Sequence, residues 1–372
     1  MKTKFTAAAA VAVALGIATQ ASADTKITIS NWISPKHPVS AAGYHPFIEK
    51  LEASGFKVSA FEGGALLGAK PALPGIGDGV ADMGMLAMTY FPAEFPNAQL
   101  VADMGLSTPN SLTAMAAAAE YNLLHCPECL AEYKAANVVY MGTYSSSPYS
   151  IISKEPIRST ADLKGKKMRV PGSLWSRWAE SVGGIQVNVP SSEMFEGLDK
   201  GALDIAIQSP GALRSYALWD TAKYVNNLNL GTYHSLSLMT MNRDFWADLS
   251  DEERALILGE AAKMSVDVTE YYLNSEEEVI ALMDEHGVEM IDASAEMVDT
   301  KAQFVAGDVT AIIDTAKTKY GIADAEAKVA KLNELMAKWS GIVAETGGDR
   351  DAMIARLQSE VYDKLPAGFG LN

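Results

Sequence analysis

From residue 25 onward, short apolar runs alternate with stretches whose apolar positions recur every three or four residues, the pattern of strands alternating with amphipathic helices. Residues 26–30 read as a strand, 39–54 as a helix closed by Gly55, and 56–61 as the next strand. A loop at 64–68, a short helical segment at 74–79 and a buried strand at 82–88 complete a βαβαβ order. The same order returns later: strand 167–170, helix 174–181, strand 186–189, helix 192–200, strand 204–208. At matching places in the two units stand Gly79-Val80-Ala81-Asp82-Met83 and Gly201-Ala202-Leu203-Asp204-Ile205. Each is a glycine helix stop, a short turn, an aspartate and an apolar strand, so the pattern predicts two similar α/β lobes.

Between the units lies 138–152, two apolar strand halves joined by what reads as a serine-rich turn, and 232–241 brings the chain back. Two crossings make a hinge, and ligands of open α/β folds bind beyond the carboxyl ends of strands, so a site at the crossings draws on both lobes. After the return, Ser250 and Glu253 form a capping box, and helical sequence runs with few interruptions to His286 and a stop at Gly287. Unbroken, that helix would be ~54 Å long and would lie across both lobes. Beyond residue 293 the chain is largely helical, with breaks at Gly321 and Gly347-Gly348; segments 328–343 and 352–364 are amphipathic and suit docking on a lobe or on a second subunit.

The first 23 residues change the picture of where the protein works. Lys2 and Lys4, an apolar run at 7–17 and Ala21-Ser22-Ala23 have the layout of an export signal cleaved after Ala23. No later stretch is apolar for long enough to anchor the chain in a membrane. The remaining 349 residues of 372 carry 28 basic against 46 acidic side chains, a net charge of about −18. Such a chain is a poor partner for nucleic acid or an anionic membrane, and an anionic ligand would need a local positive focus.

Residues 162–178, DLKGKKMRVPGSLWSRW, supply one. A short strand delivers Arg169 to a Pro171-Gly172 corner, where a helix starts at Ser173 with Trp175 and Trp178 close behind. A guanidinium fork, free N–H groups of a helix start and aromatic faces suit a small anion with an apolar body. The competing reading is a surface ion pair beside core tryptophans. Cys126 and Cys129 stand three apart after His125; in an oxidising compartment a disulfide is expected, while a redox centre or half of a metal site are the alternatives. His37 and His234 read as hydrogen-bonded loop residues. Catalytic signatures such as G-x-S-x-G, H-E-x-x-H or a phosphate-binding glycine loop are absent from the sequence.

The chain resembles the extracytoplasmic solute-binding proteins of tripartite ATP-independent periplasmic (TRAP) transporters, the DctP-like family. The resemblance rests on Ser34-Pro35-Lys36-His37-Pro38, Gly64-Ala65-Leu66-Leu67-Gly68, the 162–171 segment, Ser192-Glu193, Gly201 to Asp204, and the 241–250 segment MNRDFWADLS, in the family's order over about residues 25–290. It implies an α/β, two-lobed periplasmic binding protein fold of type II-like form: two βαβαβ lobes joined by crossover strands, with a long helix spanning both. Lobe I takes 24–147 and 234–272; lobe II takes 148–233 and 273–372, including the C-terminal helices. The implied function is a receptor, not an enzyme, that captures a small carboxylate, sulfonate or zwitterion and hands it to the TRAP membrane permease, as a monomer or homodimer and without cofactor.

The family's ligand-binding arginine falls on Arg169 and its amide position on Gln208, usually Asn. A basic residue of sialic-acid binders falls near Tyr149, and an Asn of the return strand is Tyr233, so the polar set is thin and the aromatic one rich. Trp32, Tyr90, Phe91, Tyr149, Trp175, Trp178, Trp219 and Tyr233 all fall at strand ends or loops of the cleft, and three or four of them are expected to line it. Glu193 is expected to cap its own helix. The anion is expected to dock on Arg169 and Ser173 before Trp32 and the 88–91 loop close over it. A redox enzyme using Cys126 and Cys129, or a partner of a chemoreceptor, are the alternatives.

Overall fold

The computed structural model describes residues 25–371; the export signal and its cleavage site lie outside the described residues. Two sheets form the frame. The first has the order β2-β1-β3-β10-β4, from β1 (Lys26–Ser30), β2 (Lys57–Phe61), β3 (Met83–Ala87), β4 (Val138–Tyr140) and β10 (Leu236–Asn242). The second has the order β11-β9-β5-β8-β6-β7, from β5 (Ser150–Ser153), β6 (Lys167–Val170), β7 (Ile185–Asn188), β8 (Ile205–Gln208), β9 (Tyr224–Asn226) and β11 (Glu289–Ile291). Within each βαβαβ unit the pairing is parallel, and the strands that arrive from the other lobe, β10 and β5, pair antiparallel.

The repeated glycine-to-aspartate phrase has one structural job in both lobes. Gly79 and Gly201 take positive φ (75° and 70°), which a Cβ would strain, and so end their helices. The aspartate that follows then grips the first strand of its own unit at both backbone groups. Asp82 donates its N–H to the Thr28 carbonyl and accepts the Thr28 N–H on its carboxylate, at 2.8 and 2.7 Å. Asp204 does the same to Lys167, at 2.8 and 2.8 Å. The units are therefore superposable in register: Ser30 pairs with Gly84 where Arg169 pairs with Ala206.

The serine-rich stretch is not a turn. Residues 141–149 run extended from the first sheet to the second, and 227–235 run back beside them. Buried backbone needs partners, and the two crossings satisfy each other: Tyr149 N–H donates to Gly231 at 2.7 Å, Leu230 N–H to Tyr149 at 2.8 Å, and Ser146 N–H to Tyr233 at 2.9 Å. The long helix is also not continuous. It breaks at Glu260, just after Gly259, a poor helix former, into Asp251–Gly259 and Ala261–Ala281. The second piece alone reaches both lobes. Met264 and Val268 pack so closely on Gly43 that a Cβ there would lie 2.8 Å from Val268. At its other end Val279, with Met283 just beyond, joins Ile152 and Leu198 in the core of the second lobe.

The C-terminal helices do not keep to the second sheet. Ala325–Thr346 packs on Ser111–Glu120, which lies in the chain between β3 and β4, and Trp339 donates its indole N–H to Glu120 at 2.6 Å. Cys126 and Cys129 form a disulfide, with Cα atoms 5.2 Å apart, at the start of helix Pro127–Ala135. Among the described residues no helix is long and apolar enough to cross a membrane.

Candidate functional site

At the crossings, between the carboxyl ends of the strands of both sheets, the lobes close over a small cavity of about 20 Å³. That is far below the roughly 300 to 1,000 Å³ of ligand sites, so an organic guest fits only with the lobes further apart than they stand here. Larger grooves open on the outer surface, one of them beside β4 and residues 366–370, but it is mostly apolar, and Arg243 there already donates to the Leu371 carbonyl. The interlobe cavity is the one lined by a fully buried cation, Arg169.

Its second-lobe wall is built on Arg169. β6 is a central strand, so the side chain leaves the sheet edge fully enclosed, at 1% exposure. The guanidinium donates Nε–H to the Val189 carbonyl at 3.0 Å, Nη1–H to the Ile207 carbonyl at 3.3 Å, and Nη2–H to the Tyr90 hydroxyl at 3.1 Å. These three bonds use neutral acceptors and leave two of its five donors over. No carboxylate of the described residues pairs with it. Gln208, at the end of neighbouring β8, spends its carbonyl oxygen on the Ser209 N–H and keeps its amide N–H groups for the cavity. Tyr216 is tied through its hydroxyl to Ser191 at 2.9 Å.

The first lobe and the crossings add aromatic walls. Tyr90 takes hydrogen bonds from both Arg169 and the Ser191 N–H, so its own hydrogen remains to be given away. Trp32 is held by its indole N–H on the Met85 carbonyl at 2.9 Å. Tyr149 and Tyr233 lie nearly parallel, with ring centroids 6.4 Å apart, and the Tyr233 hydroxyl bonds Thr89 at 2.8 Å. Burial holds the hydroxyls of Tyr149, Tyr216 and Tyr233 above the ordinary phenol range, so at neutral pH all three are O–H donors.

Of the eight aromatic residues singled out in the sequence, Trp32, Tyr90, Tyr149 and Tyr233 line this cavity. Trp175 does not: its indole N–H donates to the Leu230 carbonyl at 2.9 Å, which places the ring behind Tyr149 and Tyr233 as their backing. Trp178 is core, Phe91 is buried facing an outer groove, and Trp219 stacks on His286 at 3.8 Å. Ser173 bonds Asp103 at 2.5 Å, so its hydroxyl is spent on a contact between chain segments. Glu193 makes no capping bond and is exposed, contrary to expectation; the helix that follows has no side-chain cap.

Sequence reasoning passed over Tyr144, Tyr216 and Tyr272, and treated His37 as a loop residue. His37 is a hydrogen-bonded loop residue, but it also lines the cavity. Its Nδ1 accepts the Val39 N–H at 3.2 Å and its Nε2 bonds the Tyr272 hydroxyl at 2.7 Å; burial lowers its pKa to about 3 and keeps it neutral. The only available signal for Tyr144 was its place five residues before Tyr149 in the crossing. Tyr272 had none, since it lies 235 positions from His37. The disulfide sulfurs are buried and do not line the cavity. No group of described residues has the composition of a metal site.

A family model for bacterial extracellular solute-binding proteins, family 7, matches residues 32–306. A solute-binding protein of Roseobacter denitrificans is 30% identical over 134 residues, which is 34% of this chain and only 39% of that relative's length. Among solved structures, a TRAP solute-binding protein from Rhodoferax ferrireducens with copurified benzoate superposes with a TM-score of 0.77 at 19% identity, covering 86% of this chain and 99% of the other. A marine metagenome TRAP solute-binding protein specific for aromatic acid ligands, in complex with meta-hydroxyphenylacetate, gives 0.75 at 22% identity, covering 85% and 99%. The family model spans well over half of the chain and agrees with the resemblance read from its motifs, and the two-lobed architecture is that of TRAP solute-binding proteins: this protein belongs to bacterial extracellular solute-binding protein family 7, the DctP family, whose members are receptors and not enzymes.

Proposed function

We propose that the protein is an exported receptor that captures a small organic anion between its lobes and delivers it to the membrane permease of a TRAP-type transporter. One observation carries this: Arg169 is a fully buried cation with two unused donors and no acidic partner among the described residues. An uncompensated buried charge costs several kcal/mol, and a carboxylate placed in the cavity removes that cost with a bidentate pair. Other unpaired groups at the cavity wall, among them the Tyr90 O–H and the Gln208 amide, are also donors, which favours an anion over a cation. Proteins of the same fold hold benzoate, meta-hydroxyphenylacetate and pyroglutamate, all of them organic acids. Export is supported by the basic, apolar and small-residue layout of residues 1–23.

A charge-assisted contact contributes roughly 1.5 to 3 kcal/mol, and removing one partner of a buried pair costs about 3 to 5. Arg169→Ala is therefore expected to weaken binding by at least ~100-fold in titration calorimetry of the mature chain with its best carboxylate. An Arg169→Ala protein that binds within threefold of the wild type would refute the reading.

A further inference from the structure

We propose that the guest is a monocarboxylate with a flat apolar body that ends, away from the carboxylate, in an uncharged oxygen received by the Tyr144 hydroxyl. This rests on the reading of Arg169 as the partner of the carboxylate and narrows it in three ways.

The first concerns charge. Among the described residues that line the cavity, Arg169 is the one side chain carrying a charge at neutral pH. His37 is held neutral by burial, and no aspartate, glutamate or lysine faces the space. A second carboxylate would be buried with no cation, and an ammonium group with no acid; each is a large penalty in an enclosed site. Dicarboxylates and zwitterions are therefore selected against. The second concerns shape. The near-parallel rings of Tyr149 and Tyr233, backed by Trp175, and the tilted pair of Trp32 and Tyr90 give the cavity walls of aromatic faces. A planar body fills such a space with less lost contact than a branched one.

The third concerns a directed chain of hydrogen bonds. His37 Nδ1 accepts from the Val39 backbone, so in the neutral ring the proton sits on Nε2 and is donated to the Tyr272 oxygen. Tyr272 stacks in turn on Tyr144, with ring centroids 5.4 Å apart. Since the Tyr272 oxygen already accepts from His37, it does not take the Tyr144 hydrogen, and the Tyr144 hydroxyl makes no hydrogen bond to a described residue. A backbone amide thus fixes the polarity as far as Tyr272, whose ring holds Tyr144 with its O–H donor at the cavity wall. Its complement is a hydroxyl or carbonyl oxygen. Tyr144 is the contact, while His37 and Tyr272 are positioning residues.

The test is calorimetry of the mature protein with benzoate, 3-hydroxybenzoate, 4-hydroxybenzoate, benzene-1,4-dicarboxylate and succinate, on wild type, Tyr144→Phe, His37→Ala and Arg169→Ala. At least one hydroxybenzoate is expected to bind about tenfold tighter than benzoate, one hydrogen bond's worth, and the dicarboxylates at least ~100-fold weaker. Tyr144→Phe and His37→Ala should bring the hydroxybenzoate-to-benzoate ratio toward one, a ratio that a general loss of packing leaves alone. A wild-type ratio of one, a ratio unchanged in Tyr144→Phe, or dicarboxylate binding equal to that of the monocarboxylates overturns the proposal. Tight succinate binding that depends on Arg169 overturns it while the receptor reading stands. Binding that is indifferent to Arg169→Ala overturns both.

Discussion

Arg169 is positioned before any guest arrives. Three neutral acceptors fix its plane, and one of them, the Tyr90 hydroxyl, comes from the opposite lobe. Tyr90 thus has two tasks: it orients the fork, and with the Ser191 N–H bond at 3.0 Å it ties the lobes together above the cavity. Tyr90→Phe leaves both of those N–H groups short of an acceptor at a cost of about 1 to 3 kcal/mol, so binding of the best carboxylate should weaken by roughly tenfold or more in calorimetry, with little change in fold by circular dichroism. Arg169 was legible in the sequence because a short strand, a Pro-Gly corner and a helix start are local features. Tyr90 was legible only as an aromatic near a strand end. Its partners lie 79 and 101 positions away, and no periodicity encodes them.

The crossing strand and the spanning helix meet at a half-buried acid, Glu276. Ser147 donates its hydroxyl to Glu276, and burial raises the Glu276 carboxyl from 4.5 to about 7. The folded protein thus holds a proton there that the unfolded chain releases near pH 4.5. Between those values the folded state binds more protons, so stability falls as pH rises through about 7, and the charged form is carried at a cost on the order of 3 kcal/mol above it. Glu276→Gln keeps the size and the hydrogen bonding, and is expected to raise the urea midpoint at pH 8 and to flatten the pH dependence between 5 and 8. An unaltered pH profile would show that Glu276 does not titrate in that window. The strands and helices around this point were readable from hydrophobic period. The extended path of 141–149 was not, because three consecutive serines signal a turn locally, whereas the second crossing and the Thr269 hydroxyl supply the partners that keep them extended.

At the scale of the whole molecule, the lobes are held by contacts beyond the cavity. Asp103, in the chain segment between β3 and β4, accepts from Ser173 and forms an ion pair with Arg177 at 3.3 Å; Arg177 also pairs with Asp308 of helix Ala295–Thr318 at 2.8 Å. Asp103→Ala breaks a buried pair but leaves Arg177 its second acid, so the expected loss is about 2 to 3 kcal/mol in urea unfolding. X-ray scattering should show a larger radius of gyration for that variant than for the wild type, and the best carboxylate should bring the two together. The sequence by itself determined the alternation of elements, the two repeated units and the place of the one cationic focus, because hydrophobic period, glycine stops and a strand-to-helix corner act over a few residues. The register shared by the units makes Ser30 the counterpart of Arg169, and only the second unit carries the charge, which is also written in the sequence. Tertiary structure alone decided which aromatic rings face the guest. Trp175 is turned away by the Leu230 carbonyl, while Tyr272 is brought to His37 and Tyr144 from the far side of the chain, since a ring's facing depends on packing partners that sequence distance does not record.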